Sequence, residues 1–168
     1  SINQQIKDRT ITVNSTSKTY AMTGWRVGYG AGPKEIINAM IKLQGQSTGS
    51  INEMAQKAAI EAFTGSQTKV AEMVNEYAKR RDYMVNRLNS MEGITCNYPD
   101  GAFYVFPNIS GLYGKSFKGK VLEKEEDVVN FLLSEVHITG VPGSAFEYPD
   151  HLRLTFATSM DNIKEGID

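Results

Sequence analysis

The sequence has little of what several protein classes require. Its one cysteine, Cys96, has no partner in the chain, so no internal disulfide forms and a reducing, cytoplasmic setting is expected. No apolar run approaches the roughly 20 residues of a membrane helix, and no leader-like segment opens the chain. Neither sign of charge dominates. Eighteen Lys and Arg stand against 19 Asp and Glu, a formal net charge of -1 that provides no basic face for a nucleic acid. The two histidines, His137 and His151, lack metal-ligand spacing with each other or with Cys96, so no metal site is expected. No serine, histidine and acid arrange as a hydrolytic triad. Gly114-Lys115-Ser116 lacks the phosphate-loop glycine five positions earlier, where Ile109 stands. Internal repeats and low-complexity segments are absent.

What remains is a chain of 168 residues, 40% hydrophobic and 22% charged, enough to bury a substantial core. Thr10 to Asn14 alternates β-branched residues and predicts a strand. The polar stretch Ser15-Thr16-Ser17-Lys18-Thr19 reads as a loop at its end. Trp25 to Ala31 is apolar and glycine-rich, and predicts a second, buried strand. Pro33 suits the first position of a helix that runs through Ile36, Ile37, Met40, Ile41 and Leu43 and stops at Gly45. Asn52 caps a second helix with Met54, Ala55, Ala58, Ala59, Ala62 and Phe63 on its apolar face. A longer helix carries the stripe Val70, Met73, Val74, Tyr77, Met84, Leu88 and Met91, which is read as core packing.

Beyond Ile94 the pattern turns to short strands and turns. Pro99-Asp100-Gly101 marks a turn before a strand at Ala102 to Phe106. Asn108 to Lys124, rich in glycine and lysine, reads as a mobile loop. The acidic residues from Glu123 to Asp127 read as a solvated helix start, favourable for the helix dipole. Val128, Val129, Leu132 and Leu133 then form a helix, and His151 to Ala157 alternates as a strand with Leu152, Leu154 and Phe156 on one face and Arg153 on the other. The chain opens without Met and stops inside a segment, from Asp161, that reads as a starting helix, so a fragment of a longer protein is expected.

One stretch offers distinctive chemistry: Ser15-Thr16-Ser17-Lys18-Thr19-Tyr20-Ala21-Met22-Thr23-Gly24-Trp25-Arg26-Val27-Gly28-Tyr29. Lysine at a strand end is the side chain suited to a Schiff base. Serine hydroxyls beside it and an arginine eight positions on could share a dianionic phosphate. The tetrapeptide Ser15 to Lys18 alone would equally suit an exposed turn. The whole string resembles the lysine-site signature of class I aminotransferases, of the aspartate aminotransferase kind.

That resemblance implies the C-terminal part of an α/β, fold-type I, pyridoxal-phosphate-dependent transferase. Residues 1–70 would end the large cofactor-binding domain, with its sheet and helices, and 71–168 would form the linking helix and a small α+β C-terminal domain. Lys18 would be the cofactor-binding and catalytic lysine, and Ser15, Ser17 and Arg26 would hold the phosphate of pyridoxal 5'-phosphate. Val141-Pro142-Gly143-Ser144-Ala145-Phe146 and His151 to Ser159 resemble the family's small-domain segment, in which Arg153 would bind the substrate α-carboxylate. An ordinary surface ion pair is the alternative for that arginine. Pro99 to Tyr104 also resembles a family signature and is assigned only to the turn and strand. Gln46 to Ser50 is similar to a loop that approaches a neighbouring subunit, although Ile51-Asn52 follows where relatives often have proline or asparagine.

The implied activity is transfer of an amino group between an amino acid, aspartate favoured, and a 2-oxo acid. The implied parent is a homodimer whose N-terminal part carries further cofactor contacts, so this chain alone is expected to be inert. A lyase or synthase of the same fold, or a non-catalytic module, are the alternatives.

Overall fold

The alternating β-branched residues near the start form a strand, β1 (Thr12–Ser15), in a computed structural model that describes residues 3–168. It pairs antiparallel with β2 (Gly28–Ala31), Thr12 opposite Ala31 and Ser15 opposite Gly28. The expected buried strand from Trp25 is therefore corrected in two ways. Thr23–Trp25 is a 3₁₀ turn, Arg26 follows it in the left-handed region at φ 57°, and every residue of β2 is exposed. Apolar composition marks residues that could be covered. Among the described residues this ribbon has only two strands, so its outer edges are unpaired and its side chains are covered only in part.

Pro33 caps α1 (Lys34–Ser47), which passes through Gly45 rather than stopping there. Its end is made by Gly49, at φ 71°, whose N–H and that of Thr48 both reach the Gln44 carbonyl oxygen. A left-handed residue, not any glycine, satisfies the last carbonyls. The Asn52 side chain caps α2 (Glu53–Thr64), accepting the Ala55 N–H at 3.2 Å, as the sequence predicts. Of the predicted apolar face only Ala55 and Ala59 are buried, with Val27, while Met54 is exposed. This first compact unit ends at Glu72.

The second unit, Met73–Asp168, begins inside the long helix α3 (Thr68–Asn89). It holds β3 (Tyr104–Val105), β4 (Ser116–Phe117), β5 (Lys120–Val121), α4 (Glu125–Glu135), β6 (Val141–Pro142), β7 (Leu152–Thr155) and α5 (Met160–Ile167). The central sheet is antiparallel in the order β3-β7-β6. Alternation along β7 works as predicted. Leu152, Leu154 and Phe156 turn inward onto Met84, Val85 and Leu88 of α3, Val128 of α4 and Ile163 of α5. The stripe on α3 is core at its C-terminal end, whereas Val74 is exposed.

Two further expectations are corrected here. The segment from Asn108 to Lys124 is structured: β4 and β5 form a hairpin, with Lys118 and Gly119 at its tip both at positive φ, the backbone a two-residue hairpin turn demands. The acidic helix start is solvated only in part. Asp127 does turn back on the helix start, taking N–H groups of Glu123 and Lys124, but Glu125 is 4% exposed. Its Oε1 accepts the Ser144 N–H at 2.9 Å. Burial follows because α4 lies against β6 and the turn after it.

Candidate active site

Lys18 lies three residues beyond β1 in a loop that is closed at its base and cross-tied inside. At the base, the N–H and hydroxyl of fully buried Thr16 both donate to the Val27 carbonyl oxygen, at 3.1 and 3.4 Å. Within the loop the Tyr20 N–H reaches the Thr16 carbonyl, Ala21 reaches Lys18, and Met22 reaches Ser17. Buried Met22 and Val27 anchor its apolar side. Tyr20 also meets the Phe63 ring edge-on at 5.6 Å, and Tyr29 meets the same ring at 5.1 Å. Phe63 of α2 thus supports the lysine turn and the strand that follows it.

Ser15, Ser17, Lys18 and Arg26 all belong to this loop or its rim. Ser15 and Ser17 are half-buried, Lys18 and Arg26 exposed. The Ser15 hydroxyl oxygen accepts the Ser17 N–H at 3.4 Å, a short polar turn typical of serine. Arg26 lies just ahead of β2 rather than on it, which corrects its expected place on the next strand. Its left-handed backbone turns the chain and brings its guanidinium back to the Thr23 carbonyl oxygen at 2.9 Å. The Thr23 hydroxyl in turn donates to the Ser17 carbonyl oxygen at 3.1 Å. Thr23 therefore bridges the lysine turn and the arginine, a role the sequence reading missed. Both bonds involve main-chain oxygens, which leave no mark on residue type.

The donor set fits a phosphate monoester. Two serine hydroxyls precede the lysine in its loop, and the guanidinium holds one neutral carbonyl, leaving its remaining N–H donors to an anion. Among the described residues no carboxylate pairs with Arg26 to compete for that charge.

Arg153 sits in the second unit, half-buried on β7, opposite Val141 of β6. Its guanidinium carbon lies 4.5 Å from the Tyr104 ring centre and 4.7 Å from that of Phe146. The surface ion pair considered for it does not form among the described residues. Nearby, His151 stacks on Phe106 at 5.0 Å, and its Nδ1 lies 2.8 Å from the Pro149 carbonyl oxygen. Elsewhere in this unit burial pushes the Cys96 thiol pKa up, which disfavours its reactive thiolate. Tyr113 is pushed up to about 12, first by burial and then by its hydrogen bond to Asp150.

Comparison with known proteins places this geometry in a family. Residues 2–168 match the model of the aminotransferases of class I and II. A probable aspartate/prephenate aminotransferase of Rhizobium leguminosarum bv. phaseoli is 46% identical over 166 residues, 98% of this chain and 42% of that protein. An aspartate aminotransferase of Rhizobium meliloti (strain 1021) is 42% identical over 164 residues, 97% of this chain and 40% of its own length. The crystal structure of the aspartate aminotransferase from Rhizobium meliloti superposes with a TM-score of 0.93 at 41% identity, covering 99% of this chain and 42% of that one. The Thermus thermophilus aspartate aminotransferase with maleate gives 0.86 at 36% identity, with 99% and 42% covered. The chain spans about two fifths of the length of the curated relatives it matches. With its whole described fold shared and the family pattern running through nearly all its residues, the chain belongs to the class I and II aminotransferases.

Proposed function

We propose that the full-length protein is a pyridoxal-phosphate-dependent aminotransferase that moves an amino group between an amino acid, aspartate foremost, and a 2-oxo acid. The observation that carries this reading is the loop from Ser15 to Val27, in which Thr16 clamps the base and Thr23 ties the Lys18 turn to Arg26. Aspartate is favoured because the relatives the chain resembles are aspartate or aspartate/prephenate aminotransferases.

In this reading Arg26, Ser15 and Ser17 bind the cofactor phosphate. Arginine supplies a fixed charged fork, and the serines supply short hydrogen bonds. The bound cofactor supplies a carbonyl carbon for amines and a conjugated ring that takes up the electron pair left when a bond at the substrate α-carbon breaks. Lys18 would hold the cofactor through its amine, and its Nζ would serve as the general base that takes up, carries and returns the proton of the substrate α-carbon. Arg153 holds the α-carboxylate with paired N–H donors, so that the C–H bond to be broken is oriented before the proton moves.

The first unit then corresponds to the end of the large cofactor-binding domain, with the boundary near residue 70, and the second to the linking helix and small domain. The rest of the protein would complete the cofactor contacts, with a homodimer as the working form and the cytoplasm as its place. Among the described residues no helix is long and apolar enough to cross a membrane. The 168 residues alone are expected to lack transaminase turnover; a rate typical of enzymes from the isolated chain would overturn that.

The direct test is to load the full-length protein with pyridoxal phosphate, reduce with borohydride, and map the modified lysine by mass spectrometry. Labelling confined to Lys18 and lost in Lys18→Ala supports the reading, and label at other lysines with none at Lys18 refutes it. Keto-acid-dependent turnover without release of ammonia or sulfide separates a transferase from a lyase of the same fold.

A further inference from the structure

The face of the β3-β7-β6 sheet turned away from the core carries an arrangement around Arg153 that the sequence did not suggest. Strand alternation puts Leu152 and Leu154 into the core and Arg153 on the other side. There the guanidinium lies between two rings, Tyr104 from β3 at 4.5 Å and Phe146 from the 3₁₀ turn Gly143–Phe146 at 4.7 Å. Cation–π attraction holds a charged group without supplying a hydrogen-bond acceptor, so the N–H donors stay available to an incoming anion. A carboxylate in the rings' place would orient the arginine equally well but would occupy those donors and neutralise the charge.

The turn bearing Phe146 is itself fixed from below. Buried Glu125 accepts the Ser144 N–H at 2.9 Å, and the Gly143 N–H donates to the His151 carbonyl oxygen at 2.7 Å. Phe146 also meets the Phe106 ring edge-on at 6.1 Å. Its ring is therefore set in place by contacts that do not involve the arginine, and the Tyr104 ring, on a strand paired opposite Thr155, meets that of Phe103 at 4.5 Å.

We infer that Phe146 and Tyr104 are positioning residues that hold the Arg153 guanidinium open for a carboxylate. The inference rests on the reading of Arg153 as the receptor for the substrate α-carboxylate. The amino acid and the 2-oxo acid both carry that carboxylate, so loss of a ring weakens both to a similar degree. The chemical step at the α-carbon is left largely intact. Removing one ring is expected to raise KM for each substrate about tenfold with kcat changed by less than about threefold, the signature of lost uniform binding.

The test is steady-state kinetics in both directions on the full-length holoenzyme, for wild type, Phe146→Leu, Phe146→Tyr, Tyr104→Leu and Arg153→Lys. Succinate binding, measured as a dissociation constant, and the thermal unfolding midpoint accompany it. Phe146→Leu and Tyr104→Leu should raise both KM values and the succinate dissociation constant together, with Phe146→Tyr recovering most of the loss because it keeps the ring face. The unfolding midpoint shows which variants keep the wild-type fold, and KM changes are read in those. Wild-type KM values in both leucine variants while Arg153→Lys raises them would overturn the clamp and leave the role of Arg153 standing. Wild-type KM values in Arg153→Lys would overturn that role and the clamp with it. A loss confined to kcat in the leucine variants would also count against the clamp.

Discussion

The hydroxyl of Thr23 donates to the carbonyl oxygen of Ser17 at 3.1 Å, and so ties the residue before the lysine to the stretch leading into Arg26. Valine at that position keeps the shape and removes the donor. Thr23→Val is expected to weaken pyridoxal phosphate binding by the full-length protein about fivefold, the equivalent of one neutral hydrogen bond, while Thr23→Ser binds nearly as wild type. Equilibrium titration followed by the cofactor's visible absorbance checks this. Equal affinity in the two variants would leave the bridge without a role in presenting the phosphate ligands.

Much of this site was legible in the sequence, and the unread part has a common cause. Lys18, Arg26 and Arg153 stand out because their chemistry lies in the side chain and the surrounding string resembles a family signature. What orients them runs through main-chain oxygens of Ser17, Thr23 and Val27, or through ring faces brought close by strand pairing, and neither is written in residue type. The fold divides along the same line. The Asn52 cap, the α3 stripe near Met84 and Leu88, and the β7 alternation follow from local periodicity. The exposed ribbon at β2, the hairpin tip at Lys118 and Gly119, and the burial of Glu125 depend on which neighbours the chain meets.

Gly93 marks a place where no side chain fits. Its φ is 87°, and an added Cβ would stand 2.6 Å from the Gly111 carbonyl oxygen and 2.8 Å from its carbonyl carbon, both backbone atoms that cannot swing aside. Gly93→Ala should destabilise the protein by about 2 kcal/mol or more, combining left-handed strain with a forced displacement. Gly101→Ala is the control, since its added Cβ meets nothing within 4 Å and its φ is not positive. Urea unfolding of the two variants should show a lower midpoint for Gly93→Ala alone; matching midpoints would show that the two backbone segments separate freely.

The hairpin tip is tied to α4 by Lys118 Nζ and Glu135 Oε2, 2.6 Å apart. The lysine lowers the Glu135 pKa below the ordinary carboxylate value, first through the hydrogen bond and then through its charge. A lowered folded-state pKa means the tether is complete above the ordinary value of 4.5 and is lost as pH falls through the folded value. The pair is solvent-exposed, so the effect is local and falls with added salt. Amide exchange at Ser116 to Val121 should quicken below that range, relative to the intrinsic rate, in wild type. Lys118→Met should be quicker already near neutral pH and respond less to acid. An identical acid response in both proteins would show that the tether does not hold the hairpin.

The two carboxyl oxygens of Glu125 stand in opposite circumstances. The residue is 4% exposed; Oε1 accepts the Ser144 N–H, while Oε2 is buried with no hydrogen-bond partner among the described residues. Burying a polar oxygen without a partner opposes folding, whereas the bond through Oε1 favours it and fixes the turn that carries Phe146. Glutamine keeps an oxygen acceptor for Ser144 and puts a neutral amide NH2 where the unpartnered carboxyl oxygen stood, one unsatisfied group exchanged for another. Glu125→Gln should therefore stay within about 1 kcal/mol of wild type, while Glu125→Ala should lose about 1–3 kcal/mol by leaving the Ser144 N–H unsatisfied. The two effects separate further in kinetics. Because Ser144 and Phe146 share one turn, Glu125→Ala should raise the KM for both substrates in the manner of Phe146→Leu, and Glu125→Gln should not. If Glu125→Ala lowers stability yet leaves both KM values at wild type, the turn keeps Phe146 on Arg153 without help from α4, and the rings alone account for the arginine's placement.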